Sequence, residues 1–170
     1  MSGGAAGGVT AIPDARGVTA RLARFAAELR WADLPAEAQR AVARHLLDTL
    51  GAIVAGGGSA VTEKLAAVLR AQGGAGAARV PGRPDRWQPL AAAYLGGTAA
   101  HGLEVDDGYR AGSVHPGAVV VPAVLAAAEG RAVDGGAVDG DALGCAIAVG
   151  YEVAARVAGT PNLVVVRSLS

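Results

Sequence analysis

Cysteine, lysine and any imbalance of charge are all scarce in this chain of 170 residues, and each scarcity removes a class of function. The single cysteine, Cys145, excludes an internal disulfide and a cysteine-ligated iron–sulfur cluster built within the chain. It lies in an apolar run and reads as a buried structural thiol in a reducing compartment. Lys64 is the only lysine, so catalysis has almost no amine to draw on. Fifteen basic residues against fifteen acidic ones give no long-range positive field to collect nucleic acid or an anionic membrane surface. Long hydrophobic runs are missing too. The longest, residues 117–128, is about half of the roughly 20 residues that cross a bilayer, and Pro122 interrupts it. Met1 to Gly8 lack the basic and apolar regions of a secretory signal. The expectation is a soluble, cytoplasmic protein with a disordered tail over residues 1–18, binding neither nucleic acid nor membrane.

What is present is helical. Thr19 is placed to cap a helix to about Arg30, with Leu22, Phe25, Ala26 and Leu29 on one face. Asp33-Leu34-Pro35 opens a second helix, in which Val42, Leu46, Leu47, Leu50, Ile53 and Val54 form an apolar stripe until Gly56-Gly57-Gly58 stops it. Ser59 to Gln72 gives a third, with Val61, Leu65, Val68 and Leu69 inward and Glu63, Lys64 and Arg70 outward. Residues 75–87 read as a connection, briefly extended at 78–80. The small-residue run 88–103 predicts a buried helix that allows close approach of its neighbours. A fifth helix runs from Pro116 to Glu129 with Val120, Val124 and Leu125 inward, and a sixth, capped by Asp139 or Asp141, runs to Val157 and ends at Gly159. No alternating strand pattern, repeat or heptad is sustained, and the glycines at 56–58 and 73–76 do not match a phosphate loop. The predicted fold is all-α, a bundle-like domain of about six helices.

The polar groups crowd into residues 101–117, His-Gly-Leu-Glu-Val-Asp-Asp-Gly-Tyr-Arg-Ala-Gly-Ser-Val-His-Pro-Gly. On a helix ending near Leu103 or Glu104, His101 and Glu104 share a face, with Asp106 and Asp107 just beyond. Carboxylates this close, walled by apolar helices, raise at least one carboxyl pKa toward the range of acid–base work. The plainer alternative is that Asp106 and Asp107 are turn and capping residues with solvated carboxylates. A helix starting at Pro116 aims the N–H groups of Gly117 and Ala118 at this loop as an anion site and disfavours protonated His115, which suits a neutral base. Arg110 is suited to clamp a carboxylate, and Ser113 supplies a hydroxyl. His45, beside Arg44, reads as a solvated surface residue. A divalent cation held by His101, Glu104, Asp106 and Asp107 is a further alternative.

The run from Ala91 to Asp107, followed by His115-Pro116-Gly117 and an Ala-rich helix, resembles the MmgE/PrpD family, which includes 2-methylcitrate dehydratase, cis-aconitate decarboxylase and an iminodisuccinate epimerase. Leu46-Leu47-Asp48-Thr49-Leu50-Gly51, Gly150-Tyr151-Glu152-Val153 and Arg156 fit the same family, so the resemblance spans residues 19–159. It implies a helical domain, usually part of a homodimer, whose loop forms a metal-free, cofactor-free site for small di- and tricarboxylates. Glu104 stands where an aspartate is common, Asp106 and Asp107 match the following acidic pair, and His115 matches the histidine before proline. His115 is then the base, and Glu104, Asp106 and Asp107 are the acid and polarising partners. His101, Tyr109, Arg110, Ser113 and Gly117 hold substrate. Gly108 replaces a position that is often threonine, which points to a different substrate.

Family members are much longer, with a downstream Gly-His-x-Thr-Gly-type segment, active-site lysines and a smaller α+β domain that this chain does not contain. Residues 160–170, with Leu163-Val164-Val165-Val166, do not resemble the family. The expectation is an N-terminal piece with a divergent tail, acting as a hydro-lyase-type enzyme with a separately encoded C-terminal piece. The alternative is a non-catalytic remnant that keeps a carboxylate-binding or dimerisation surface.

Overall fold

The computed structural model describes residues 17–133, 135, 136 and 138–159. The expected tails, residues 1–18 and 160–170, lie outside them, except that Gly17 and Val18 begin the first helix. Six helices and one small antiparallel sheet make up the described chain: α1 Val18–Glu28, α2 Ala36–Gly56, α3 Ala60–Ala71, β1 Ala75–Arg79, β2 Arg86–Trp87, α4 Pro89–His101, α5 Pro116–Val133 and α6 Gly140–Ala158. A 3-10 turn, Trp31–Asp33, precedes α2. The domain is all-α in class, as the helical periodicity requires. Among the described residues no single helix is long and apolar enough to cross a membrane; α2 and α3 pass that test only as a pair bent by 83°.

The helix starts follow from local chemistry. Ser59 caps α3 by accepting from the Thr62 N–H at 3.3 Å, and Asp139 caps α6 by accepting from Ala142 N–H at 2.7 Å. Thr19 does not cap α1. It lies inside the helix, whose N-cap is Gly17 with no side-chain bond. Helix α5 runs on to Val133, past the expected stop at Glu129, because a helix interior tolerates Gly130 at a cost of only about 1 kcal/mol. The segment read as a connection, briefly extended at 78–80, folds into the β1–β2 hairpin, whose first strand takes in 78 and 79. Arg83 pins it: its guanidinium donates to Gly57 O at 2.6 Å, to Glu63 at 2.6 Å and to Asp85 at 3.0 Å.

The core sits between α2, α4, α5 and the hairpin, around Ile53, Val80, Trp87, Leu95 and Ala99. Burying Ile53 or Leu95 contributes about 2 kcal/mol each. Helix α4 runs through the middle, and its small residues let its neighbours close in. A Cβ at Gly56 of α2 would fall 2.0 Å from Ala99 O, and one at Gly97 would fall 2.8 Å from Ala118 O of α5. The inward faces of α2 and α3 differ from the apolar stripes expected. Leu47, Val54, Val61 and Val68 are exposed, while Thr49, Ala52, Thr62 and Ala66 are buried. Thr62 is accommodated because its hydroxyl donates to Gly56 O at 3.0 Å.

Candidate functional site

Helix α4 ends at His101, and the chain then reverses through residues 102–115 before α5 begins at Pro116. Glu104 takes φ 52° and Ser113 φ 51°, the two non-glycine residues with left-handed backbone among those described. Such conformations cost about 1–2 kcal/mol each and persist only where the surroundings enforce them. A tight hairpin closes the loop: Tyr109 N–H donates to Val114 O at 2.8 Å, and Gly112 N–H to Tyr109 O at 3.1 Å. This turn brings His115 back against His101, with ring centroids 4.7 Å apart.

Two adjacent carboxylates then serve two different clusters. Asp106 has a fully shielded side chain, and His101 Nδ1 lies 3.1 and 3.2 Å from its two oxygens. An ionised carboxylate only accepts, so His101 donates through Nδ1, and in the neutral ring Nε2 is then the nitrogen with the lone pair. His115 Nδ1 lies 3.3 Å from Asp106 Oδ2. Both imidazoles are about half exposed and face a cavity of about 830 Å³, which Ser113 also lines.

Asp107 turns to the other side. Its Oδ1 accepts from the Gly117 N–H at 2.9 Å, and its Oδ2 accepts from the Tyr151 hydroxyl at 2.8 Å. His45 Nδ1 lies 3.3 Å from Oδ2, and the His45 ring leans on Tyr151 with centroids 4.9 Å apart. Burial first, then the Asp107 carboxylate, holds the Tyr151 phenol well above the usual tyrosine value, so it remains a donor. Thr49, 1% exposed, completes this cluster. A Cβ at Gly117 would lie 2.6–2.8 Å from Thr49 Oγ1, Tyr151 OH and Asp107 Oδ1, so only glycine leaves room for them. His45, Asp107, Tyr109 and Tyr151 line a second cavity of about 590 Å³ with Phe25 and Leu29.

The sequence matches the MmgE/PrpD N-terminal domain over residues 20–164. The chain belongs to the MmgE/PrpD family. It is also 32% identical over 142 residues to a cis-aconitate decarboxylase-like protein, oryM, of Aspergillus oryzae (strain ATCC 42149 / RIB 40). That match takes in 82% of this chain and 30% of the relative, so the chain spans under a third of the relative's length.

Within this MmgE/PrpD domain the residues singled out from sequence fall into three groups. His101, Asp106 and His115 come together. Asp107 and Gly117 also meet, but with each other: the N–H expected to receive an incoming carboxylate is taken by Asp107. Glu104, Tyr109, Arg110 and Ser113 lie exposed on the loop. Arg110 makes no side-chain hydrogen bond or ion pair among the described residues. Glu104 does not share a helix face with His101, because α4 ends at His101 and the backbone reverses at Glu104 itself. The cation alternative built on His101, Glu104, Asp106 and Asp107 is corrected likewise, since the residues that converge with His101 are Asp106 and His115. His45, read as a solvated surface residue, contacts Asp107 and Tyr151. Its helix alone could not reveal this; the signal was the adjacent Leu46–Gly51 segment together with Gly150-Tyr151. Cys145 is half-buried, its thiol donates to Leu29 O at 3.1 Å, and burial raises its pKa.

Proposed function

We propose that this MmgE/PrpD domain carries one wall of a metal-free, cofactor-free acid–base site that moves a proton at the carbon next to a carboxylate of a small di- or tricarboxylate. The observation that carries the reading is Asp106, a buried carboxylate that tethers His101 and lies against His115 while both rings face one cavity. In this reading His115 is the base. His101, its Nδ1 held by Asp106, presents Nε2 to the same substrate. A positioned imidazole of this kind contributes about 10²–10⁴-fold. Glu104 is the exposed acid that protonates the departing hydroxyl in a dehydration. Arg110, Ser113 and Tyr109 hold substrate carboxylates from the loop. Asp107 and Gly117 act one step back, fixing the start of α5 so that His115 stays in place. The decarboxylase-like name of the relative fits the same proton transfer run in the delivering direction, and dehydration, decarboxylation and epimerisation share it.

The working unit proposed is a cytoplasmic homodimer in which the opposite wall comes from further family sequence, encoded with or apart from this segment. Hydroxy-tricarboxylate turnover and carboxylate binding by the chain, alone and mixed with the C-terminal part of a family member, test the proposal. His115→Ala should lower kcat by roughly 100-fold or more. Unchanged activity in that variant, or no carboxylate binding under either condition, sinks it in favour of a non-catalytic module.

A further inference from the structure

We propose that His101, Asp106 and His115 bind one borderline divalent transition ion, of the Zn(II) or Co(II) class, and that the ion silences the site. Donor atoms from the three residues all lie within 4.8 Å of one another. Asp106 Oδ2 is 3.1 Å from His101 Nδ1 and 3.3 Å from His115 Nδ1. Tetrahedral coordination with bonds of about 2.0–2.1 Å sets ligand atoms roughly 3.3–3.4 Å apart, the spacing Asp106 Oδ2 already keeps from each Nδ1, and turning the two half-exposed rings completes the set. A second observation is the seclusion of Asp106. Its side chain is wholly shielded, yet among the described residues no lysine or arginine pairs with it. The His115 contact also falls outside hydrogen-bond alignment, leaving His101 as the side-chain donor that does align. A buried carboxylate compensated this lightly gains from a cation placed between it and the rings.

Two imidazoles and one carboxylate select Zn(II), Co(II), Ni(II) or Cu(II) over Mg(II) and Ca(II), which prefer all-oxygen shells. The large cavity beside the rings leaves room for water or an anion as the remaining ligand. Coordination through Nδ1 needs the neutral ring with its lone pair there, so the Nδ1 proton of His101 moves to Nε2. Both Nε2 atoms then carry hydrogen and neither accepts a proton. Binding stands independently of the proposed catalysis; the silencing rests on it.

Equilibrium dialysis of the chain against Zn(II), with Co(II) absorption as a second probe, tests the site. One ion per chain is expected. His101→Ala and His115→Ala should each weaken binding by roughly 100-fold or more, whereas His45→Ala and Cys145→Ser bind as the wild type does and excess Mg(II) does not compete. On the unaltered chain, Zn(II) should shift the ring-nitrogen resonances of His101 and His115 and leave those of His45 in place, a readout that needs no variant to fold. Absence of binding, binding that survives both histidine variants, or binding that depends on His45 or Cys145 overturns the ion site and leaves the catalytic reading intact. Stoichiometric binding with undiminished turnover instead leaves the ion site standing and removes the base roles of these histidines.

Discussion

Replacing Asp107 by alanine strips an acceptor from two donors, the Gly117 N–H and the Tyr151 hydroxyl. The Gly117 N–H loses the carboxylate that closes the start of α5, which is worth about 1 kcal/mol for a helix cap. The half-buried Tyr151 hydroxyl loses a bond to a charged acceptor, worth about 1.5–3 kcal/mol. Removing the largely buried Asp107 charge returns part of this, so the net destabilisation is about 2–3 kcal/mol. For a chain of this size that lowers Tm by roughly 5–10 °C. Thermal unfolding followed by far-UV circular dichroism measures it directly. Tyr151→Phe alone should cost about 1 kcal/mol, and the double variant should cost less than the two singles together, because both remove the same bond. If Asp107→Ala melts with the wild type, or the two changes add fully, Asp107 is a solvated turn residue after all. The account of how α5 and His115 are held would then be wrong.

Tyr151 also makes stability sensitive to alkali. Its phenol is held above the ordinary value of 10.0 in the fold, so the unfolded chain ionises first. The contribution is whole below pH 10 and is lost as pH climbs toward the folded value. Denaturation midpoints measured up the alkaline range should fall more steeply for the wild type than for Tyr151→Phe. Gly56→Ala should push α2 from α4, because the new Cβ would meet Ala99 O at 2.0 Å; a loss of about 3 kcal/mol, read as a lower urea midpoint at unchanged slope, is expected. At Glu104, with φ 52°, the glycine variant should be about 1 kcal/mol more stable than the alanine variant in the same titration; equal midpoints would show that the backbone there is unstrained. Cys145, half-buried and donating to Leu29 O, should react with an alkylating reagent more slowly in the folded chain than in denaturant.

The helices were legible because their ends carry strong local signals: Ser59, Pro116 and Asp139 at starts, and the glycines at 56–58 and 73–74 at stops. Their inward faces were not. Hydrophobicity points to Leu47, Val54, Val61 and Val68, yet close approach to α4 selects Thr49, Ala52, Gly56, Thr62 and Ala66, whose small size matters more than their apolarity. Of the hairpin only the extension at 78–80 was legible, because Ala75-Gly-Ala-Ala-Arg79 has neither alternation nor strand propensity. The crowding of residues 101–117 located the site, and His115 before a helix start was visible in the residues themselves. The division of labour was not. It depends on contacts between residues far apart in the chain, His45 with Asp107 and Asp107 with Tyr151, which no local pattern encodes.

Asp106 and Asp107 are neighbours bonded to opposite sides of the same loop, one facing a pair of imidazoles and the other a phenol and a helix start. The loop is therefore a partition one residue thick, and its function depends on phase as much as on composition. Removing Leu103 would shift Asp107 toward the place that Asp106 holds beside His101 and draw it away from the start of α5, although every group assigned to the site remained in the chain. Substitutions here should be graded by what they remove. Insertions and deletions should be all-or-none, and a length change in this loop is a sharper test of relatedness in function than any single side chain within it.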